Sequence, residues 1–600
     1  MKPELPDNLA VGRRAILPLP WCDILEDFAW YGRVKKWSMR IRVTCGDHPS
    51  TDGLIGPVTH WWVVASPSYP FGNLKIYPDK EQGIGTVFQH QGWNDVSDAL
   101  PWRHGEICVK TSLSKLWRKG FTDEPFSSEE RLKWHLGRAK EWIAAAIDDH
   151  LVAPGEPFEL PPLPEVINDR LVFNEDSATF HLWEAATASS GLFKVKRPAF
   201  NSRIIAIDEF KVGTSRINYS WGQAIGNTEP GDWEGIWIML KGLPIHNRWQ
   251  LPATWGELSE IAKAQGLDIA RQFIDLYSRS KFGVIKFFCI GFSVPERYGD
   301  PPSSIFWLSC FLESPTLRVN GFQNRGGPYM NACARSLCSP TKKISWIATE
   351  NWNKEQISAR GALIPTMQQS NIVLIGAGAV GSLFAELLQR LGCTNITIID
   401  GERLEVGNLV RHDLDMEAVR QFKAEQLARR LNLLAPYAHV KFRNNNIKEI
   451  LENEDDILED AEIIVDATSS DEVIQLLSDR LSNTSKAFVS LSNGLKADRH
   501  FCFVSRNSST GTIAEQFFSK IRPWLAKEME ENDKLQLRRE GLGCWHPVFP
   551  ARLDDIQMLL GACIKPLEIL LEVDTVSTLV VIEKEYGEDG QFKGLRIVKE

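Results

Sequence analysis

The apolar run Asn371-Ile-Val-Leu-Ile375 leads directly into Gly376-Ala-Gly-Ala-Val-Gly381 and then into an amphipathic stretch from Val380 to Leu391. A strand, a glycine turn and a helix in immediate succession constrain this chain more than any other feature. Glycines at this spacing permit a tight turn and bring backbone N–H groups up to a phosphate at the positive end of a helix. Apolar strands alternate with amphipathic helices through the residues that follow, so the region reads as a Rossmann-like, doubly wound parallel sheet. Asp400 closes the next strand, Asn395-Ile-Thr-Ile-Ile-Asp400, where its carboxylate can accept a ribose hydroxyl. An NAD-dependent dehydrogenase carries the same glycines and acid, so two readings stand on these residues alone.

The residues after Asp400 separate them. Gly401-Glu-Arg-Leu-Glu-Val-Gly-Asn408-Leu-Val-Arg411 is followed by Phe422-Lys423-Ala424. Hydride transfer has no use for this cluster. An enzyme that joins a carboxylate to AMP needs cations for the charge on the α-phosphate and on the departing pyrophosphate. Over about residues 368–500 the pattern resembles the ubiquitin-activating and ThiF/MoeB adenylation family. The resemblance implies that Gly376, Gly378 and Gly381 shape a phosphate loop for ATP, that Asp400 holds its ribose, and that Asn408, Arg411 and Lys423 meet its phosphates, the last two in a catalytic role.

Mg²⁺ is expected with the ATP, because it favours carboxylate and phosphate oxygens. The family usually places an aspartate where this sequence has Ser469, within Asp466-Ala-Thr-Ser469-Ser-Asp471. Asp466 is therefore the first candidate ligand, for nucleotide and metal alike, and Asp471 the second. The family also implies an arginine before the glycine loop that completes the partner subunit's site. Arg360 is the nearest, and its use would require a homodimer through the adenylation domains.

Ubiquitin-activating enzymes attack the acyl-adenylate with a downstream cysteine, which conserves the activation as a thioester. Cys502 lies in an alternating strand pattern and Cys563 on an apolar helix face, so both read as core. Cys544 stands instead in Arg538-Arg-Glu-Gly-Leu-Gly-Cys544-Trp-His546-Pro547. Its cations favour a thiolate and its glycines admit a second protein's tail, which makes Cys544 the catalytic candidate.

Near the N-terminus, Tyr69-Pro-Phe71 precedes His90, His104-Gly-Glu-Ile-Cys108 and Trp117, with a helix predicted from Ser127 to His150. That order resembles a ubiquitin-conjugating enzyme and implies that Cys108 is a second catalytic thiol. The family's His-Pro-Asn tripeptide is missing, and Gln89-His90-Gln91 is the nearest counterpart.

The fold class expected is multidomain α/β: a conjugating-enzyme-like α+β domain (1–150), a proline-rich linker (151–165), a middle α+β docking domain (166–355) and the Rossmann-like adenylation domain with its cysteine loop (356–600). Of the 21 tryptophans, only Trp524 and Trp545 lie in the last of these, which marks the boundary compositionally. A net charge of −9 offers no basic surface to a phosphate backbone, so nucleic acid is excluded as a partner. No apolar run of about 18 residues is present, so no membrane span is expected and a cytoplasmic location is.

The order of domains resembles the bacterial ubiquitin-transferase-like component of CBASS anti-phage operons. It implies ATP-dependent adenylation of the C-terminal tail of a cGAS/DncV-like nucleotidyltransferase. Thioester transfer to Cys544 and then to Cys108 would follow, and conjugation to an amine on an unknown target. The rivals are a sulfur-carrier adenylyltransferase of MoeB/ThiF type and a nucleotide-binding scaffold without chemistry.

Overall fold

The computed structural model describes residues 3–46, 49–110, 123–163, 167–281, 283–313, 327–453, 456–482, 484–506, 511–537, 539, 548–573 and 577–600. Trp117 and the loop residues Arg538, Cys544 and His546 lie outside them. The chain divides into two compact units, one of Met1–Val195, Arg203–Asn218 and Pro230–Glu350, the other of Lys196–Ser202, Tyr219–Glu229 and Asn351–Glu600.

In the first unit, β1 (Cys22–Tyr31), β2 (Lys36–Thr44), β3 (Val58–Ala65) and β4 (Leu74–Pro78) form an antiparallel meander. Period-two alternation sends Met39, Ile41 and Val43 to the same buried face as Trp61, Val63 and Ala65. Helices Asp7–Ile16 and Glu130–Ile147 cover that face. The second helix begins later than its sequence suggests, with Ser127 Oγ accepting the Glu130 N–H at 3.1 Å from outside the first turn. Leu132, Leu136, Ala139, Ile143 and Ile147 are all buried, as their three- and four-residue steps require.

The same unit contains an eight-stranded mixed sheet ordered β5-β12-β11-β10-β9-β6-β7-β8, in which β5 also pairs with β7. Its strands are β5 (Ile167–Phe173), β6 (Ser190–Lys196), β7 (Ile204–Val212), β8 (Ser215–Asn218), β9 (Trp233–Met239), β10 (Phe287–Val294), β11 (Ser304–Phe311) and β12 (Trp346–Asn351). Tryptophan enrichment has a physical basis here. Trp183 packs edge-on against Trp237 and Trp307, and the buried Glu175 carboxylate accepts the indole N–H of Trp183 at 2.8 Å and of Trp307 at 2.9 Å. The helix Trp255–Ala264 is capped by Thr254 and Glu257. Helices Ser177–Glu184, Ile269–Ser278 and Gly327–Leu337 were not evident in the sequence.

The proline-rich stretch, read as a plain linker, is pinned in place. Phe158 N–H donates to Glu296 C=O at 3.0 Å, and Tyr298 N–H donates to Glu156 C=O at 2.8 Å. Prolines that cannot continue a helix hold an extended backbone whose remaining amides pair with the segment after β10.

The second unit is built on the sheet β15-β14-β13-β16-β17-β18-β19-β20. The strands are β13 (Asn371–Ile375), β14 (Asn395–Ile399), β15 (His439–Arg443), β16 (Ile463–Asp466), β17 (Ala487–Asn493), β18 (Arg499–Arg506), β19 (Thr578–Tyr586) and β20 (Phe592–Lys599). The pairings from β15 to β17 are parallel, as expected of a Rossmann-like sheet. An antiparallel extension from β17 to β20 completes it. Cys502 on β18 and Cys563 on the helix Leu553–Glu572 are fully buried and in mutual contact, in keeping with the core reading of both. Among the described residues no helix is long and apolar enough to cross a membrane.

Candidate active site

Register sets the nucleotide pocket. Ile375 lies opposite Ile399 on one side and opposite Asp466 on the other, so Gly376, Asp400 and Ala467 leave three strands at the same level. The order β14-β13-β16 reverses direction across β13, and ligands of open α/β sheets enter such crevices.

Each glycine of the loop has its own reason. Gly376 has a φ of 91°, a left-handed conformation that disfavours a side chain. A Cβ on Gly381 would lie 1.9 Å from the Gly376 carbonyl oxygen, so only glycine lets the helix Ala379–Arg390 pack there. A Cβ on Gly378 would meet nothing within 4 Å, which leaves the approach to the helix end open.

A pocket of about 360 Å³ lies in front of this loop, with Gly376, Gly378, Asp400, Glu402, Asn446 and Lys448 in its wall. Asp400 Oδ2 accepts the Ala377 N–H at 2.7 Å, and Oδ1 accepts the Glu402 N–H at 2.7 Å. Burial nevertheless pushes this carboxyl above the usual aspartate range. From the other side His412 Nε2 meets the Ala377 carbonyl at 2.6 Å. Its Nδ1 accepts the Leu414 N–H at 3.1 Å, so Nε2 carries the proton, and burial lowers this imidazole to about 4. Ala377 is thus held through both its N–H and its C=O.

The expected phosphate residues are arranged differently. Lys423 opens the helix Lys423–Asn432 with its side chain nearly buried, and its Nζ lies 2.5 Å from Glu402 Oε2 on the pocket wall. Arg411 donates through Nη1 to the Phe549 carbonyl and sits 5.7 Å over that ring. Asn408 Oδ1 accepts the Glu405 N–H at 3.0 Å, closing its own turn. Neither Arg411 nor Asn408 lines the pocket. Arg360 is exposed, in the turn after the helix Lys354–Ser358.

The proposed metal ligands need correction. Asp466 is 0% exposed, and its Oδ1 accepts from the Thr468 N–H (3.0 Å) and Oγ1 (2.6 Å) while Oδ2 accepts from Ser490 Oγ at 3.1 Å. It buttresses the strand end instead of facing nucleotide or metal. Asp471 is exposed and outside the pocket wall, which carries Asp400, Glu402 and Glu472. Ser469 sits in the left-handed region, with a φ of 57°. Among the described residues no group of three or more acidic, histidine or cysteine side chains is placed to hold a metal.

Cys108 occupies an extended segment beside β4, with Ile107 N–H donating to Ile76 C=O at 3.1 Å and Cys108 N–H to His90 C=O at 2.7 Å. Alternation buries Ile107 and Val109 and turns Cys108 outward. Among the described cysteines it alone is exposed. A cavity of about 700 Å³ lies over it, lined also by His90, Lys110, Arg138, Trp142 and Glu159. The Tyr69-Pro-Phe71 turn is tied to the neighbouring helix, since Tyr69 Oη donates to Ser128 C=O at 2.9 Å and accepts the Leu132 N–H at 3.0 Å.

Sequence reasoning missed His412, Lys448, Glu472 and Glu159. His412 had one available signal, its position immediately after Arg411. Glu159 had none, because its role depends on how the proline-rich stretch folds back.

Residues 149–352 match the family described as the Cap2 central linker domain, and residues 355–523 match the ThiF family. The ATP-dependent ubiquitin transferase-like protein Cap2 of Enterobacter hormaechei subsp. hoffmannii is 29% identical, over 87% of this chain and 88% of that protein. The adenylyltransferase and sulfurtransferase UBA4 of Kluyveromyces lactis is 32% identical over 127 residues, 21% of this chain and 28% of that protein. Among solved structures, E. coli MccB with ATP is similar at 15% identity and a TM-score of 0.28, over 39% of this chain and 64% of that one. The chain is an enzyme similar over most of its length to a Cap2 ubiquitin-transferase-like protein, and it carries a ThiF-family adenylation domain.

Proposed function

We propose that the chain adenylates the C-terminus of a protein with ATP, accepts the acyl group on Cys544, passes it to Cys108 and delivers it to an amine on a target. The observation that carries this reading is an outward-facing thiol, Cys108, over a cavity in the same chain as a ThiF-family domain. Holding two thiols in one molecule raises their effective concentration for each other. The activated protein is a cGAS/DncV-like nucleotidyltransferase and the setting is bacterial CBASS anti-phage defence, in line with the likeness to Cap2 over most of the chain.

In this reading Gly376, Gly378 and Gly381 shape the phosphate loop and Asp400 holds the ribose. Lys423 approaches the phosphates from beside Glu402, and Asn408 and Arg411 contribute once released from their present partners. Mg²⁺ enters with the ATP phosphates. Two adenylation domains pair as a homodimer, with Arg360 reaching the partner's site.

Incubation with ATP, Mg²⁺ and the nucleotidyltransferase, resolved with and without reductant, tests the reading. Wild type should give reducible adducts and a stable conjugate, Cys108→Ala should retain one adduct on Cys544, and Cys544→Ala should give neither. An adenylyltransferase serving a sulfur carrier, as the likeness to UBA4 allows, would form its products unaffected by Cys108→Ala.

A further inference from the structure

The cavity over Cys108 contains a paired imidazole and carboxylate that the sequence did not bring together. Glu159 Oε2 accepts the main-chain N–H of His90 at 3.0 Å and lies 3.2 Å from His90 Nδ1. Both side chains remain partly open to solvent and line the same cavity as Cys108. The backbone that delivers Glu159 is fixed, with Phe158 N–H bonded to Glu296 C=O and Tyr298 Oη donating to Glu159 C=O at 3.4 Å. His90 has a φ of 56°, a conformation costly for a side-chain-bearing residue. The Glu159 carboxylate holds it there, and the His90 carbonyl in turn accepts the Cys108 N–H. The neighbouring charges Arg138 and Glu141 are paired with each other at 2.5 Å, and Lys110 and Glu156 are the other charged residues of the cavity wall.

We infer that His90, oriented by Glu159, is the base that takes the proton of the attacking amine when a thioester on Cys108 is discharged. This rests on the reading of Cys108 as a thioester carrier. A carboxylate on Nδ1 fixes the tautomer whose Nε2 lone pair is free to accept a proton, and it stabilises the imidazolium that results. The amine nitrogen attacks the thioester carbonyl and a C–N bond forms. The C–S bond breaks, its electron pair leaves with the Cys108 sulfur as thiolate, and the nitrogen's proton passes to Nε2. Products are an amide, a thiolate and His90 imidazolium, with no oxidant or reductant required. Glu159 is a positioning residue, and the substrate class is a primary amine slender enough for the cavity, such as a lysine side chain.

The test uses the full chain carrying Cys544→Ala, loaded on Cys108 by exchange with a synthetic glycine thiobenzyl ester, so that ATP chemistry is not needed. Discharge to free lysine and to hydroxylamine is followed by intact mass. Hydroxylamine is unprotonated at neutral pH and needs no base. His90→Gln should slow lysine discharge by about 10²-fold, the usual contribution of a general base, while hydroxylamine discharge keeps its rate. Glu159→Gln should fall between the two for lysine alone. A His90→Gln protein that discharges lysine at the wild-type rate, slows equally toward both nucleophiles, or cannot be loaded would overturn the inference. Failure of the otherwise wild-type chain to load in a Cys108-dependent way would instead remove the thioester-carrier reading, and the inference with it.

Discussion

At the nucleotide pocket three strands end level, and the backbone alone decides where Gly376, Asp400 and Ala467 stand. Around Cys108 the cysteine's segment belongs to no regular strand, and the surrounding groups arrive from the loop at His90, the helix Glu130–Ile147 and the proline-rich stretch. The first site is dictated by register, the second by side chains that happen to converge. A register site tolerates few changes in its glycines, whereas a convergent site should be separable into parts by substitution.

The largest expected effect tests that separation. Trp142 lines the Cys108 cavity and packs edge-on against Trp61 and Phe88, so Trp142→Ala should cost about 3–5 kcal/mol in chemical denaturation of the first unit. Tail-dependent pyrophosphate exchange should survive at concentrations of denaturant too low to unfold it. Loss of exchange alongside conjugation would break the comparison.

Next comes pH. The unfolded His412 imidazole takes up a proton below 6.5, whereas the folded one resists protonation until about 4. Its contribution is full above 6.5 and declines as pH falls to 4, by about 3 kcal/mol at the limit. His500, lowered to about 4 by complete burial, adds a decline of the same sign. Unfolding of wild type and His412→Gln from pH 4 to 7 should show a shallower slope in the variant.

Gly381→Ala should cost roughly 1–3 kcal/mol and remove pyrophosphate exchange, because the added Cβ collides with the Gly376 carbonyl. Gly378→Ala, with open space at its Cβ, should leave stability within about 0.5 kcal/mol yet weaken ATP binding. Equal stability losses would show that the two glycines are not distinguished as the geometry requires. The smallest effect belongs to Arg248, which pairs with Asp52 and Asp149 near the surface. Arg248→Ala should cost under about 1 kcal/mol.

The contrast between the sites also explains what could be read from the sequence. Gly376, Gly381 and Asp400 were legible because a short strand, a turn and a helix fix their places locally. Lys423, Arg411 and Asn408 were legible as a motif, but not their partners: Glu402, Phe549 and Glu405 engage them through contacts that spacing does not encode. Asp466 looked like a ligand because it ends a strand beside the glycine loop. Whether its oxygens point outward depended on Thr468 and Ser490, the latter 24 residues away. Cys108 could be placed on an extended segment, yet His90 and Glu159 meet across 69 residues, through a proline-rich stretch whose composition predicts only that it is not helical.

The central claim is that one chain both activates an acyl group with ATP and carries it on Cys108. Its most direct test is site-resolved mass spectrometry of the full chain after a single turnover with ATP, Mg²⁺ and the proposed nucleotidyltransferase. The account predicts an acyl thioester on Cys108 that depends on ATP and disappears in Cys544→Ala. Acyl-adenylate formation with Cys108 never modified would contradict it.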